Sequence, residues 1–185
     1  MTTKQLNNRR ILILATDGFE QSELQVPKRK LSEMGATVHV ASPKSGSIKG
    51  WDKKNWGDSV TVDLALSEAR SEDYDALVLP GGQMNPDALR MESKAIELIK
   101  RFADAGKPVA AVCHAPWLLI DAGLVEGRKL TSWPSVRMDL QNAGGTVVDE
   151  SVVEDRGVIT SRKPEDLDDF VNAIANALTG GASSP

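Results

Sequence analysis

Apolar positions along the chain follow two alternating rhythms. Residues 10–16 (RILILAT), 75–80 (DALVLP) and 107–113 (KPVAAVC) are short, nearly continuous apolar runs, the pattern of strands covered on both faces. Residues 37–42 (TVHVAS) predict a further strand. Between these runs the apolar spacing is helical. Residues 22–34 place Leu24, Leu31 and Met34 among charges, with Pro27 in the first turns and Gly35 as the stop. Residues 92–105 predict an amphipathic helix ending at Gly106, and residues 115–122 predict a helix directly behind a strand. The stretch 47–62, rich in Gly, Asp, Lys and Trp, predicts an irregular excursion or a hairpin. A short strand at 130–133, a short helix at 135–143, a paired β segment at 152–161 and a last helix at 164–178 complete the pattern.

Such alternation predicts an α/β fold, a mostly parallel sheet with helices on both faces. One domain is expected over residues 10–178, with an N-terminal extension at 1–9 and a small, polar, frayed tail at 179–185. In open sheets of this kind, sites form beyond the carboxyl ends of the strands. The segments to inspect are therefore 17–20, 81–87 and 113–117.

Composition narrows the function classes. The net charge is −4 and the basic residues are scattered, so no nucleic-acid footprint is expected. No apolar run approaches the roughly 18–20 residues that span a membrane. The apolar run at 11–15 is too short for a signal peptide, and a single cysteine excludes an internal disulfide, so the chain reads as cytoplasmic. One Cys and two His give no metal cluster, and neither nucleotide-binding glycine motif occurs, so no cofactor is expected.

Cys113 is the strongest chemical candidate. It stands where a strand runs into a helix, with Ala111 two residues before and Ala115 two residues after. Small residues at those positions suit a nucleophile elbow, which lifts its central side chain above the sheet. The following helix start, with Pro116 in its first turn, is expected to favour the thiolate and lower the thiol pKa. The competing reading is a packed cysteine. His114 is the adjacent base, if the backbone bends enough to bring it back onto sulfur. Glu20 follows the first strand at the same end of the sheet, where a protonated carboxyl can donate to sulfur. Glu23 is the second candidate, weighed against a solvated acid at a helix start. Gly81 and Gly82 after a buried strand can supply oxyanion-hole N–H groups, or form a plain tight turn. His39, alternating with valines, reads as a packed or edge residue.

Several segments together resemble the PfpI-type intracellular proteases of the ThiJ/PfpI superfamily, which includes glyoxalases, proposed deglycases and stress proteins. The segments are TDGFEQSEL (16–24), ALVLPGG (76–82), GKPVAAVCHAP (106–116), GRKLTSW (127–133) and TSRKPEDL (160–167). The resemblance implies a flavodoxin-like three-layer sandwich, shared with class I glutamine amidotransferases. It implies Cys113 as nucleophile, His114 as its partner, Glu20 as the acid touching sulfur, and oxyanion donors from Gly82 and His114. It also implies an acid from a neighbouring subunit that orients the histidine. Asp87 holds that position, with a shorter side chain than the Glu more common there. Trp117 replaces a smaller or polar residue and lines the pocket. A homodimer, or further assembly to a hexamer, is implied.

Two functions follow as expectations. One is a stress-related cysteine hydrolase or lyase acting on peptides, or on small dicarbonyls and their adducts. The other is a redox-sensing stress protein in which Cys113 is reversibly oxidised. A glutaminase needs a histidine late in the chain, and none follows His114.

Overall fold

The protein is described by a computed structural model covering residues 5–180. β1 (Arg10–Leu14) leads into α1 (Gln21–Glu33) and β2 (Thr37–Ser42). Next come the hairpin β3 (Ser47–Asp52) and β4 (Asn55–Thr61), then β5 (Leu64–Ala65), β6 (Ala76–Leu79), α2 (Met84–Leu89) and α3 (Ser93–Asp104). β7 (Val109–Val112), α4 (Pro116–Asp121), β8 (Lys129–Leu130), α5 (Arg137–Asn142) and β9 (Thr146–Val147) follow. The chain closes with β10 (Val152–Asp155), β11 (Val158–Ser161) and α6 (Leu167–Thr179).

Seven strands form the central sheet in the order β10-β11-β7-β6-β1-β2-β5. Every pairing is parallel except that of β10 with β11. Alternation along β1 divides the interior into two cores. Ile11 and Ile13 pack with Leu24 and Leu31 of α1 and with Phe170 and Ile174 of α6. Leu12 and Leu14 face the opposite layer, with Leu98, Ile99 and Phe102 of α3 and Leu118 of α4. In α3 the buried residues Ala95, Leu98, Ile99 and Phe102 recur at helical spacing, which is why this segment holds as an amphipathic helix. The architecture is the expected flavodoxin-like α/β sandwich.

Of the two alternatives expected for 47–62, the structure has the hairpin, antiparallel with a register shift between Lys49 and Trp51. The differences are local. The strand expected at 130–133 shortens to β8, which pairs with β9 outside the main sheet. The helix expected at 135–143 begins as a 3-10 turn, Pro134–Val136, before α5. β5, β9 and α2 had no counterpart in the sequence pattern, because two to six residues are too few to show a period. Residues 1–4 and 181–185, including most of the expected tail, lie outside the described residues. No described helix is long and apolar enough to cross a membrane.

The parallel strands β1, β6 and β7 all end on the same side. Their carboxyl ends bring the segments after Leu14, Leu79 and Val112 together.

Candidate active site

Cys113 sits between β7 and α4 with φ +64°. This left-handed conformation costs a non-glycine residue roughly 1–2 kcal/mol, so its surroundings must hold it. They do so from both sides. The Cys113 N–H donates to Ser161 O at 3.0 Å, and Cys113 O accepts the Trp133 N–H at 2.9 Å. Ala111 and Ala115 are both fully buried, leaving no room for larger side chains beside the turn. The elbow expected from the small residues is therefore present. Cys113 is only 5% exposed.

The glycine pair after β6 closes against this turn. A Cβ on Gly81 would stand 2.5 Å from Glu23 Oε2, 2.6 Å from Val112 O and 2.8 Å from Cys113 Cβ. Gly82 has φ +81°, and a side chain there would strike the Glu20 nitrogen and Gly18 O at 2.6 Å. Only glycine fits either position. The N–H groups of Gly82 and His114 both point to the Cys113 sulfur and pull its pKa down.

The acid facing sulfur is Glu23, and this corrects the expectation for Glu20. The Glu20 carboxylate turns back on its own helix as the N-cap of α1, accepting the Glu23 N–H at 3.0 Å and a short bond from the Ser22 hydroxyl. Glu23, in the first turn, points inward and is fully buried. Its Oε2 accepts the Gly81 N–H at 2.8 Å, and the carboxyl lies within hydrogen-bonding range of the Cys113 thiol. Its Oε1 is buried with no partner of good hydrogen-bond geometry. Burial, and then the nearby Glu20 charge, holds the Glu23 carboxyl well above the usual carboxylate range.

Sulfur also departs from expectation. Burial pushes the Cys113 thiol up, and the facing Glu23 carboxylate pushes it further, against the pull of the Gly82 and His114 N–H groups. The lowering expected from the helix start does not outweigh these while Glu23 is ionised. Both rises have burial as their first cause, and at sulfur the Glu23 charge adds to it.

His114 turns back as required, with Nδ1 3.2 Å from Cys113 Sγ. Burial lowers its pKa, which keeps the imidazole neutral. Its ring stacks on Trp133 (centroids 5.9 Å apart, 22° between planes) and meets Trp117 edge-on at 5.2 Å. Trp117 is fixed in turn, its Nε1 donating to Asp139 at 2.8 Å. Asp87 is exposed in the first turn of α2, where its charge acts on Arg90, and within this chain it makes no hydrogen bond to His114. Among the described residues no group of three or more His, Cys, Asp or Glu side chains is arranged to hold a metal ion.

Three contributors were missed at the sequence level. Buried Asn85 accepts the Thr16 N–H and donates to Pro80 O, tying the end of β1 to the glycine turn. Its place shortly after Gly82 was the only available signal. Trp133 and Ser135 reach His114 from the segment after β8, and nothing in the apolar pattern marks them.

Comparison with known proteins adds an independent finding. Residues 9–177 match the model of the DJ-1/PfpI family. A Thermococcus kodakarensis protein named a deglycase is 44% identical over 158 residues, covering 85% of this chain and 92% of the relative. The protein named deglycase PfpI from Pyrococcus furiosus is 43% identical with the same coverage. Among solved structures, Drosophila melanogaster DJ-1beta superposes with a TM-score of 0.84 at 30% identity, covering 93% of this chain and 91% of that one. A two-domain Anabaena variabilis protein with DJ-1/ThiJ/PfpI-like and ferritin-like domains gives a TM-score of 0.88 at 34% identity. The match takes in 96% of this chain and spans 50% of that one.

Proposed function

This chain belongs to the DJ-1/PfpI family, and from that premise we propose that it is a cysteine-dependent hydrolase of deglycase type, acting on small carbonyl compounds and their adducts. The observation that carries this reading is the convergence on one sulfur of a buried carboxyl, two backbone N–H groups and an imidazole nitrogen. The names of the similar archaeal proteins support it. Tight burial of Cys113 favours a small substrate over a peptide, which needs an open groove.

In this reading the Cys113–Glu23 pair holds a single proton, and the carboxyl carries it. A Glu23 carboxylate would leave Oε1 charged, buried and unpaired, which costs far more than a neutral acid there. With Glu23 protonated, the repulsion that raises the thiol disappears and its O–H becomes a donor to sulfur. The anion is then held by Glu23, Gly82 and His114 together. Sulfur adds to the carbonyl carbon, and the carbonyl electron pair moves onto oxygen. The two N–H groups hold that oxyanion, and Glu23 supplies the proton that neutralises it. With a dicarbonyl, the hydrogen on the hemithioacetal carbon then moves as a proton, through an enediol, to the neighbouring carbonyl carbon and leaves a thioester; water cleaves its C–S bond, releasing the 2-hydroxy acid and returning the proton to the Cys113–Glu23 pair.

Turnover of methylglyoxal and of its amine adducts tests the reading. The wild-type chain is expected to consume them, and Cys113→Ser to lose at least 10³-fold, on the order seen when an enzymatic nucleophile is removed. Undiminished turnover by Cys113→Ser contradicts it. Absent turnover in the wild type, with ready oxidation of Cys113 by peroxide, favours the redox-sensor function instead.

A further inference from the structure

A fully buried amide, Asn85, lies in the first turn of α2, shortly after Gly82. Its hydrogen bonds go to backbone. Oδ1 accepts the Thr16 N–H at 2.8 Å, while Nδ2 donates to Pro80 O at 2.9 Å and to Gly81 O at 3.3 Å. These two carbonyls belong to consecutive peptide units, Pro80–Gly81 and Gly81–Gly82. Both units are trans, and in a planar trans unit the N–H points the opposite way from the C=O. The opposite ends of both units enter the site. The Gly81 N–H donates to Glu23 Oε2 at 2.8 Å, and the Gly82 N–H points to the Cys113 sulfur. The Glu20 N–H gives Gly81 O a second donor at 3.2 Å.

We propose that Asn85 is a positioning residue of the active site: by holding both carbonyls it aims the Gly81 N–H at Glu23, and the Gly82 N–H at sulfur and at the oxyanion formed there. The effect on turnover rests on the proposed cysteine chemistry, whereas the aim of the two N–H groups does not. Glycine leaves this turn soft, because no Cβ restricts rotation of the peptide units on either side of Gly81. A Gly81–Gly82 unit that flips presents its carbonyl oxygen to the sulfur and repels an anion. An amide suits the place because it both accepts and donates. A carboxylate can take the Thr16 N–H, but it meets two carbonyl oxygens with no hydrogen to give. The bond at each carbonyl also polarises its peptide unit and strengthens the N–H at the far end as a donor. The bonds of Asn85 stop at the backbone, so it acts through the turn and not on the reacting atoms.

The test is NMR of the full chain labelled with ¹⁵N-glycine, combined with thiolate titration by ultraviolet absorbance and with steady-state kinetics. In the wild type the Gly82 amide signal is expected to move as Cys113 ionises, with the midpoint seen in absorbance. Asn85→Leu, close in shape, should uncouple the Gly82 signal from that ionisation and raise the thiol midpoint by about one unit. It should also lower kcat for methylglyoxal on the order of 10²-fold, the size of one lost oxyanion donor. Asn85→Asp covers the case in which Asn85→Leu does not fold. It should lose as much at about pH 8 and recover relative to the wild type as pH falls, because a protonated carboxyl donates again. Lower stability in these variants, with the Gly82 signal and the thiol midpoint as in the wild type, overturns the proposal, since that result describes an anchor for β1 alone. So does a wild-type Gly82 amide that does not respond to sulfur ionisation. If the wild type shows no turnover, the hydrolase reading fails, while the Gly82 signal and the thiol midpoint still decide the role of Asn85.

Discussion

The carboxyl of Glu23 and the sulfur of Cys113 cannot be discussed apart, because each sets the charge of the other. Replacing Glu23 by Gln keeps the shape but removes the proton that the proposed mechanism delivers to the oxyanion. Turnover is expected to fall on the order of 10²-fold, the lower range for loss of an acid–base group, and parallel Cys113 alkylation rates separate lost acidity from lost nucleophile. Stability reports the same group. Its folded pKa is raised, so the folded chain holds a proton that the unfolded glutamate gives up above about 4.5. The stability contributed by the neutral carboxyl is complete below that value and declines as pH rises through the folded pKa. In a Cys113→Ala background, where sulfur no longer competes, Glu23→Gln should therefore gain stability relative to Glu23 as pH rises. Urea unfolding at about pH 5 and about pH 8 measures this, and a pH-independent difference would show that Glu23 titrates normally.

At the scale of elements, two turns and a helix start assemble the site. Gly81→Ala would drive a methyl group into Val112 O and Cys113 Cβ, neither of which can yield without moving β7. A loss of about 2–3 kcal/mol is expected in denaturant unfolding, the upper range of overpacking costs. Glu20→Ala tests the capping assignment. It should cost about 1 kcal/mol through the lost N-cap while Cys113 keeps its reactivity toward alkylating agents. Reactivity lost with stability intact would instead make Glu20 the acid at sulfur. These elements also show what was legible beforehand. Ala111, Ala115 and Pro116 around Cys113 announced the elbow, because a tight strand-to-helix turn tolerates few other residues. Gly81 and Gly82 announced a close backbone approach. The choice between Glu20 and Glu23 was not legible. The two lie three residues apart across the helix boundary, and only the extended backbone of Glu20 (φ −65°, ψ 122°) folds its carboxylate back as a cap. That the thiol pKa depends on the charge of Glu23 was not legible for a related reason. The helix start is visible in sequence, while complete burial of a facing acid is a product of packing.

For the whole molecule, the parallel strands β1, β6 and β7 carry three distant segments to one end of the sheet, and β11 adds the Ser161 carbonyl that holds the elbow. The covering layers were readable from α1, α3 and α6, whose buried faces repeat at helical spacing. The short β8–β9 annex carrying Trp133 and Ser135 toward His114 was not, since two-residue strands leave no pattern. Elsewhere, ordinary surface electrostatics governs acid stability. Hydrogen bonding to Arg162 holds Asp149 below its usual range, and the Lys129 N–H does the same for Asp155. Both contributions are present above the unfolded pKa near 3.9 and are lost as pH falls through the lower folded values. The urea midpoint should therefore drop between about pH 4 and about pH 2, and a midpoint flat across that window would contradict these pairings. The central claim, that the site holds its sulfur as an anion while Glu23 keeps the proton, is tested most directly by titrating thiolate ultraviolet absorbance, with Cys113→Ser as the blank. The account predicts ionisation with a midpoint below about 7, and a midpoint above about 9, no lower than a free thiol, would contradict it.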